Sequence, residues 1–168
     1  MQKLCVANGG GAVPAADAPM DLRALVEVAL ENVKEGCVGE TWGALIAMHQ
    51  SMWAEDLAVR SAFREIARDE VRHAALAWAV HRWVLGELDE GSHREIQRAE
   101  ERAWDELQSA LAAVSEHGTS QALGLPDVSV SLQLARSLRA ARQMWRCPSG
   151  AREGAAHRDR SGVGRHIG

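Results

Sequence analysis

Ile66-Ala67-Arg68-Asp69-Glu70-Val71-Arg72-His73-Ala74-Ala75-Leu76-Ala77-Trp78 is the stretch on which the reading of the whole chain turns. It lies in a longer run, Leu57 to Leu85, that holds no Gly or Pro and is rich in Ala, Arg, Leu and Glu, so one continuous helix is expected there. Steps of three and four residues pick out Val59, Phe63, Ile66, Glu70, His73, Ala77, Val80 and Val84, a single stripe expected to be buried. Every member is apolar except Glu70 and His73, one turn apart at its centre. An unpaired carboxylate at such a place is costly, so something must compensate it. A divalent metal does so, because a Glu oxygen and an imidazole nitrogen at i, i+3 converge on one point beside a helix. The blander reading is that the two residues bond each other or a buried Arg, since Glu-x-x-His arises often by chance.

Working outward, the 168 residues suffice for one core, and 25% charged with 46% apolar residues is an ordinary globular composition. A formal net charge of -4 offers no general affinity for nucleic acid, and no apolar run approaches a membrane span. Met1 to Gly9 lacks the apolar centre of a signal peptide, which makes the cytoplasm the default location. Cys5, Cys37 and Cys147 are too few and too scattered for a disulfide framework or a zinc site, and Cys37 reads as a small buried hydrophobe. Trp42, Trp53, Trp78, Trp83 and Trp104 fall at helix positions and read mostly as packing; the absence of Tyr removes the commoner radical carrier.

Residues 1–20, with three consecutive glycines and two prolines, read as a flexible leader, and 21–146 as the folded domain. Asp21 is a plausible N-cap for a first helix from Leu22 to about Ala54, weakened locally by Gly36, Gly39 and Gly43, which are tolerated where another helix or a ligand comes close. Glu55-Asp56 makes a turn short enough to force an antiparallel hairpin, with Asp56 capping the second helix. Gly86 to Gly91 closes that helix, and Ser92 caps a third running to about Glu116 with Ile96, Ala99, Ala103, Leu107, Leu111 and Val114 as its apolar stripe. After a loop, 118–127, a fourth helix runs from about Val128 to Trp145. Residues 147–168 form a basic tail expected to be disordered.

A metal at Glu70 and His73 needs an inward carboxylate from the first helix, and Glu35 and Glu40 are the candidates. Glu40 shares a stripe with Val33, Cys37 and Ala44 and lies about as far from the turn as Glu70, so periodicity favours it. Glu35 sits on the flank of the polar face and reads more readily as a solvated charge.

A Glu on one helix and Glu-x-x-His on the next make half of a carboxylate-bridged di-metal signature. Glu35-Gly-Cys-Val-Gly-Glu40-Thr followed by Asp69-Glu70-Val-Arg-His73-Ala-Ala-Leu-Ala-Trp78 resembles the second half of the domain in a bacterial ferritin-like family, over Leu22 to Leu85. The resemblance implies an all-α fold, a ferritin-like hairpin with two further C-terminal helices, and metal-ligand roles for Glu70, His73 and either Glu40 or Glu35. The family's first helix pair supplies a second Glu and a second Glu-x-x-His. Neither a second Glu-x-x-His nor a second half-site is expected here: residues 1–20 cannot hold two helices, His49, His81 and His93 are read as lacking such a Glu, and Glu95, Glu100 and Glu106 have no matching His. The half-domain is therefore expected to complete its bundle as a homodimer holding two iron or manganese ions. By resemblance it would oxidise iron or reduce O2 or peroxide, with no role for membrane or nucleic acid. The alternative is a truncated, non-enzymatic helical protein that has lost its metal site.

Overall fold

A computed structural model describes residues 23–114 and 122–142, and every regular element among them is helical. The chain is all-α. Three elements run end to end as a first rod: α1 (Leu25–Glu31), a π-helical segment (Asn32–Glu40) and α2 (Thr41–Trp53). Then come α3 (Leu57–Glu87), α4 (Glu90–Ala112) and α5 (Val128–Ala141). α2 and α3 lie against each other as the hairpin that the short turn requires. The π segment is sandwiched between α3 and α4, and α5 packs on α4. No helix of the described residues is long and apolar enough to cross a membrane.

Capping explains where the helices begin. The Asp56 carboxylate accepts from Ala58 N at 2.6 Å and Val59 N at 3.3 Å, as expected. α4 starts earlier than its sequence suggests, because Asp89 is its cap and Ser92 supplies the N–H, at 2.8 Å. Asp127 does the same for α5 through Val130 N, at 2.7 Å. Each such cap contributes about 1 kcal/mol. α4 ends at Ala112, short of the expected Glu116. Asp21, Trp145, the leader and the tail lie outside the described residues.

The interruption of the first rod is the main departure from expectation. Ala29, Val33, Cys37 and Thr41 are all buried, at a strict spacing of four. In an α-helix each four-residue step overshoots a full turn by about 40°, so four such residues could not stay in line. Bonding i to i+5 puts more residues into each turn and restores the alignment. The same winding lines up Asn32, Gly36 and Glu40 toward α3. Asn32 Nδ2 donates to Ala77 O at 3.0 Å, and a Cβ on Gly36 would lie 2.8 Å from Ala77 Cβ. The glycine lets the π segment come this close to α3.

Ala29, Val33 and Cys37 meet Ala77, Trp78 and Val84 of α3 and Ile96 of α4 in one apolar cluster; Val38, Ala103 and Trp104 form a second, against Leu107 and Leu138. The α4–α5 seam adds charge. Glu100 is 0% exposed and its Oε1 lies 3.0 Å from Arg142 Nε, while Glu101 bonds Arg139 and Arg142. Ahead of α5, residues 122–124 dock on the end of α2: Glu55 N donates to Ala122 O (3.0 Å) and Gln50 Nε2 to Leu123 O (3.1 Å), and His49 Nδ1 sits 2.8 Å from Gly124 O. Gly124 has φ of 69°, and a Cβ there would fall 2.3 Å from Ala54 N.

Among the tryptophans, Trp78 and Trp104 are buried, Trp42 is half-buried, and Trp53 and Trp83 are exposed, so packing accounts for only part of the set.

Candidate metal centre

The buried line of α3 is Ala67, Ala74, Ala77, Trp78, His81 and Val84, rotated from the stripe expected from sequence. The close approach at Gly36 and Ala77 draws the small residues of α3 toward the first rod. Glu70 consequently sits half-buried, and His73 lies at the margin with 60% of its side chain exposed. The expectation that both occupy the centre of a buried stripe is corrected to this edge position. Glu70, with 28% of its side chain exposed, keeps part of its hydration, so it needs less compensation than a carboxylate at the centre of a buried stripe.

The geometric part of the expectation fares better. Glu40, Glu70 and His73 each offer one ligand atom, and these atoms lie within 4.8 Å of one another. His73 Nδ1 is 3.5 Å from Glu70 Oε2 and 3.9 Å from Glu40 Oε2. Two helices thus deliver two carboxylates and an imidazole to one point. Glu35 is exposed on the flank of the π segment and is not part of this cluster. Its being a ligand would require the segment to turn.

The Glu40 carboxyl titrates above its ordinary range, first because it shares a hydrogen bond with Glu70, then through partial burial and the Glu70 charge, with His73 pulling the other way. The cause is the closeness of the two carboxylates: Glu70 disfavours the charged form of Glu40. A divalent ion between them would favour the ionised form of Glu40 and oppose that shift. Oxygen and imidazole donors of this kind suit iron, manganese or zinc, and three donors leave a metal coordinatively incomplete.

Contrary to the expectation of a single such motif, the sequence contains a second Glu-x-x-His, Glu90-Gly-Ser-His93. It does not form a second half-site. Glu90 is 91% exposed and lies 3.6 Å from Arg94, while His93 Nε2 sits 2.6 Å from Leu85 O across the α3–α4 turn.

Three residues around the site were not singled out by periodicity. Thr41 Oγ1 donates to Cys37 O at 2.5 Å and accepts from Trp78 Nε1 at 3.1 Å, and Asn32 makes the bond to Ala77 already described. The signal available in sequence was the four-residue spacing of Ala29, Val33, Cys37 and Thr41. Cys37 is buried as expected, and burial, together with the Glu100 charge, pushes its thiol up to about 12, which keeps it protonated and unreactive. The chain matches no family model, no curated protein and no solved structure.

Proposed function

We propose that the chain is a metal-binding carboxylate protein of ferritin-like type, a di-iron or di-manganese oxidoreductase whose centre is completed by a second copy of itself. The observation that carries this reading is the convergence of Glu40, Glu70 and His73 from two different helices. When bound, a pair of such ions supplies redox chemistry between divalent and trivalent states, suited to oxidising iron or reducing O2 or peroxide. The chain's own part is to hold the ions through Glu40, Glu70 and His73, whose ligand atoms lie within 4.8 Å of one another.

The case for a second copy rests on the surface beside His73. Leu76 and Trp83 are exposed and follow His73 along one edge of α3, with half-buried Val80 between them and Ile66 and Ala62 before it. An antiparallel pairing of two α3 helices about an axis at His73 would set Trp83 opposite half-buried Phe63 and Val80 opposite Ile66. Apolar residues would meet apolar ones, and two half-sites would face each other. Trp42 and Ile46 are half-buried and contribute less to such a patch, whereas Trp53 is exposed at the far tip of the hairpin.

Equilibrium sedimentation combined with metal analysis tests the proposal. A dimer carrying two ions, with an oxo-bridged ferric absorbance in the near ultraviolet after anaerobic iron loading and exposure to air, is the expected result. A monomer that takes up no metal refutes it and supports the second reading, a non-enzymatic helical protein. That reading is favoured by one observation, the 60% exposure of the His73 side chain.

A further inference from the structure

The π segment is fastened to α3 at both ends, and the two fastenings fall on adjacent residues. At its start, Asn32 Nδ2 donates to Ala77 O at 3.0 Å; just past its end, Thr41 Oγ1 accepts from Trp78 Nε1 at 3.1 Å. Between them, Gly36 sits at the closest approach to Ala77. Positions 32, 36 and 41 are therefore held against one short stretch of α3, and Glu40 is carried along between the last two.

The Thr41 hydroxyl does more than tie two helices. It donates to Cys37 O at 2.5 Å, the carbonyl that the Thr41 amide would take in an ordinary α-helix, while that amide bonds Val38 O instead. A side-chain hydroxyl on the i−4 carbonyl competes with the backbone for that acceptor. The Trp78 indole, itself buried, fixes the direction of the hydroxyl. If the segment rewound as α-helix with Asn32 held in place, residue 40 would turn by about 80° over the intervening eight residues and leave the line facing α3.

We infer that the Thr41 hydroxyl, held between the Cys37 carbonyl and the Trp78 indole, locks residues 32–40 in π register and thereby delivers Glu40 to Glu70 and His73. Thr41 and Trp78 are positioning residues: they touch no metal and act through Glu40. The consequence for metal binding rests on the proposed function, whereas the consequence for the backbone does not.

The test uses the full chain with Thr41→Val, which keeps the shape and removes the hydroxyl, Thr41→Ser, which restores it, and Trp78→Phe, which removes the indole N–H. Scalar couplings across backbone hydrogen bonds, measured without metal, read the register directly. Wild type and Thr41→Ser should pair i with i−5 through the segment, and Thr41→Val should shift toward i−4. Titration with Mn2+ should show affinity reduced about tenfold or more in Thr41→Val and Trp78→Phe and retained in Thr41→Ser, the scale typical of residues that orient ligands. A lowered melting temperature alone, with register and affinity retained in Thr41→Val, would mean an ordinary structural bond and overturns the inference. Should Thr41→Val fail to fold, Trp78→Phe decides by the same two readings. A wild type that binds no Mn2+ refutes the metal reading, and the couplings still decide the lock.

Discussion

Replacing Gly36 by Ala tests the contact on which the candidate centre depends. The new Cβ would lie 2.8 Å from Ala77 Cβ and 2.8 Å from Asn32 Oδ1. Carbon atoms rest at about 3.5–4.0 Å, so the rods must separate locally by roughly 1 Å. Ala77 Cβ cannot swing aside, being fixed to the backbone of a 31-residue helix. Asn32 can, at the loss of its bond to Ala77 O, worth about 1 kcal/mol. Overpacking adds about 1–3 kcal/mol, and the better helix propensity of Ala returns about 1 kcal/mol. The net expectation is destabilisation by roughly 1–3 kcal/mol, which at ~2–4 °C per kcal/mol for a domain of this size lowers the melting temperature by about 2–12 °C. Parting the rods also spreads donor atoms that now lie within 4.8 Å, so metal affinity should fall more than the loss of stability would suggest. Thermal melts of the metal-free protein followed by circular dichroism, and Mn2+ titration well below the melting temperature, measure the two effects. An unchanged melting temperature would show that Gly36 does not set the spacing. A lower one with undiminished affinity would show that the cluster does not depend on it.

Three other perturbations separate parts of the argument. Leu76→Glu combined with Trp83→Glu places charge on the exposed edge of α3 and should convert a dimer to a monomer in sedimentation, with helicity retained and metal lost; a persistent dimer would place the interface elsewhere. The raised Glu40 carboxyl favours its protonated form in the fold, so its contribution to stability is complete below the ordinary 4.5 and is lost as pH rises through the folded value. Denaturant midpoints of the metal-free protein should fall over that window, and Glu40→Gln should remove that part of the slope; an identical slope in the variant would refute the raised Glu40 carboxyl as its source. Gly124→Ala forces a left-handed backbone on a residue with a side chain, at about 1–2 kcal/mol, and its Cβ would lie 2.3 Å from Ala54 N and 2.6 Å from Trp53 C. With overpacking included, a loss of about 3 kcal/mol or more is expected in denaturant titrations, with Mn2+ affinity unchanged, because the loop lies at the far end of the hairpin from Glu40. A variant as stable as wild type would mean that the loop is not seated on α2.

Much of this architecture was legible because it follows from local chemistry. The Gly- and Pro-free run after Asp56, the two-residue turn and the stripe through Ile96 and Ala103 together specify helices and their order. The pairing of Glu40 with Glu70 and His73 was legible too, since both lie at matching distances from the turn. Two things were not. The phase of α3 depends on how closely another helix can approach, and Gly36 against Ala77 fixes that phase through a contact no periodicity encodes; hence His73 falls on the edge. The π winding escapes a search at 3.6 residues per turn because that search presupposes the geometry it looks for. A line of buried residues at intervals of four, closed by Thr41, carries the information instead.

The charged seam between α4 and α5 bears on how wrong arrangements are rejected during assembly. Apolar contacts such as Leu138 against the Trp104 cluster tolerate slippage, since one hydrophobic residue substitutes for another at modest loss. The Glu100–Arg142 contact does not. A shift of α5 by one residue would turn the Arg142 guanidinium about 100° around its helix and away from a carboxylate that has left water entirely. Because separating a buried pair costs about 3–5 kcal/mol while forming it gains little over an apolar contact, the pair discriminates between registers more than it stabilises the correct one. A pair of this kind acts as proofreading, by penalising wrong seats of α5 on the bundle more than it rewards the right one.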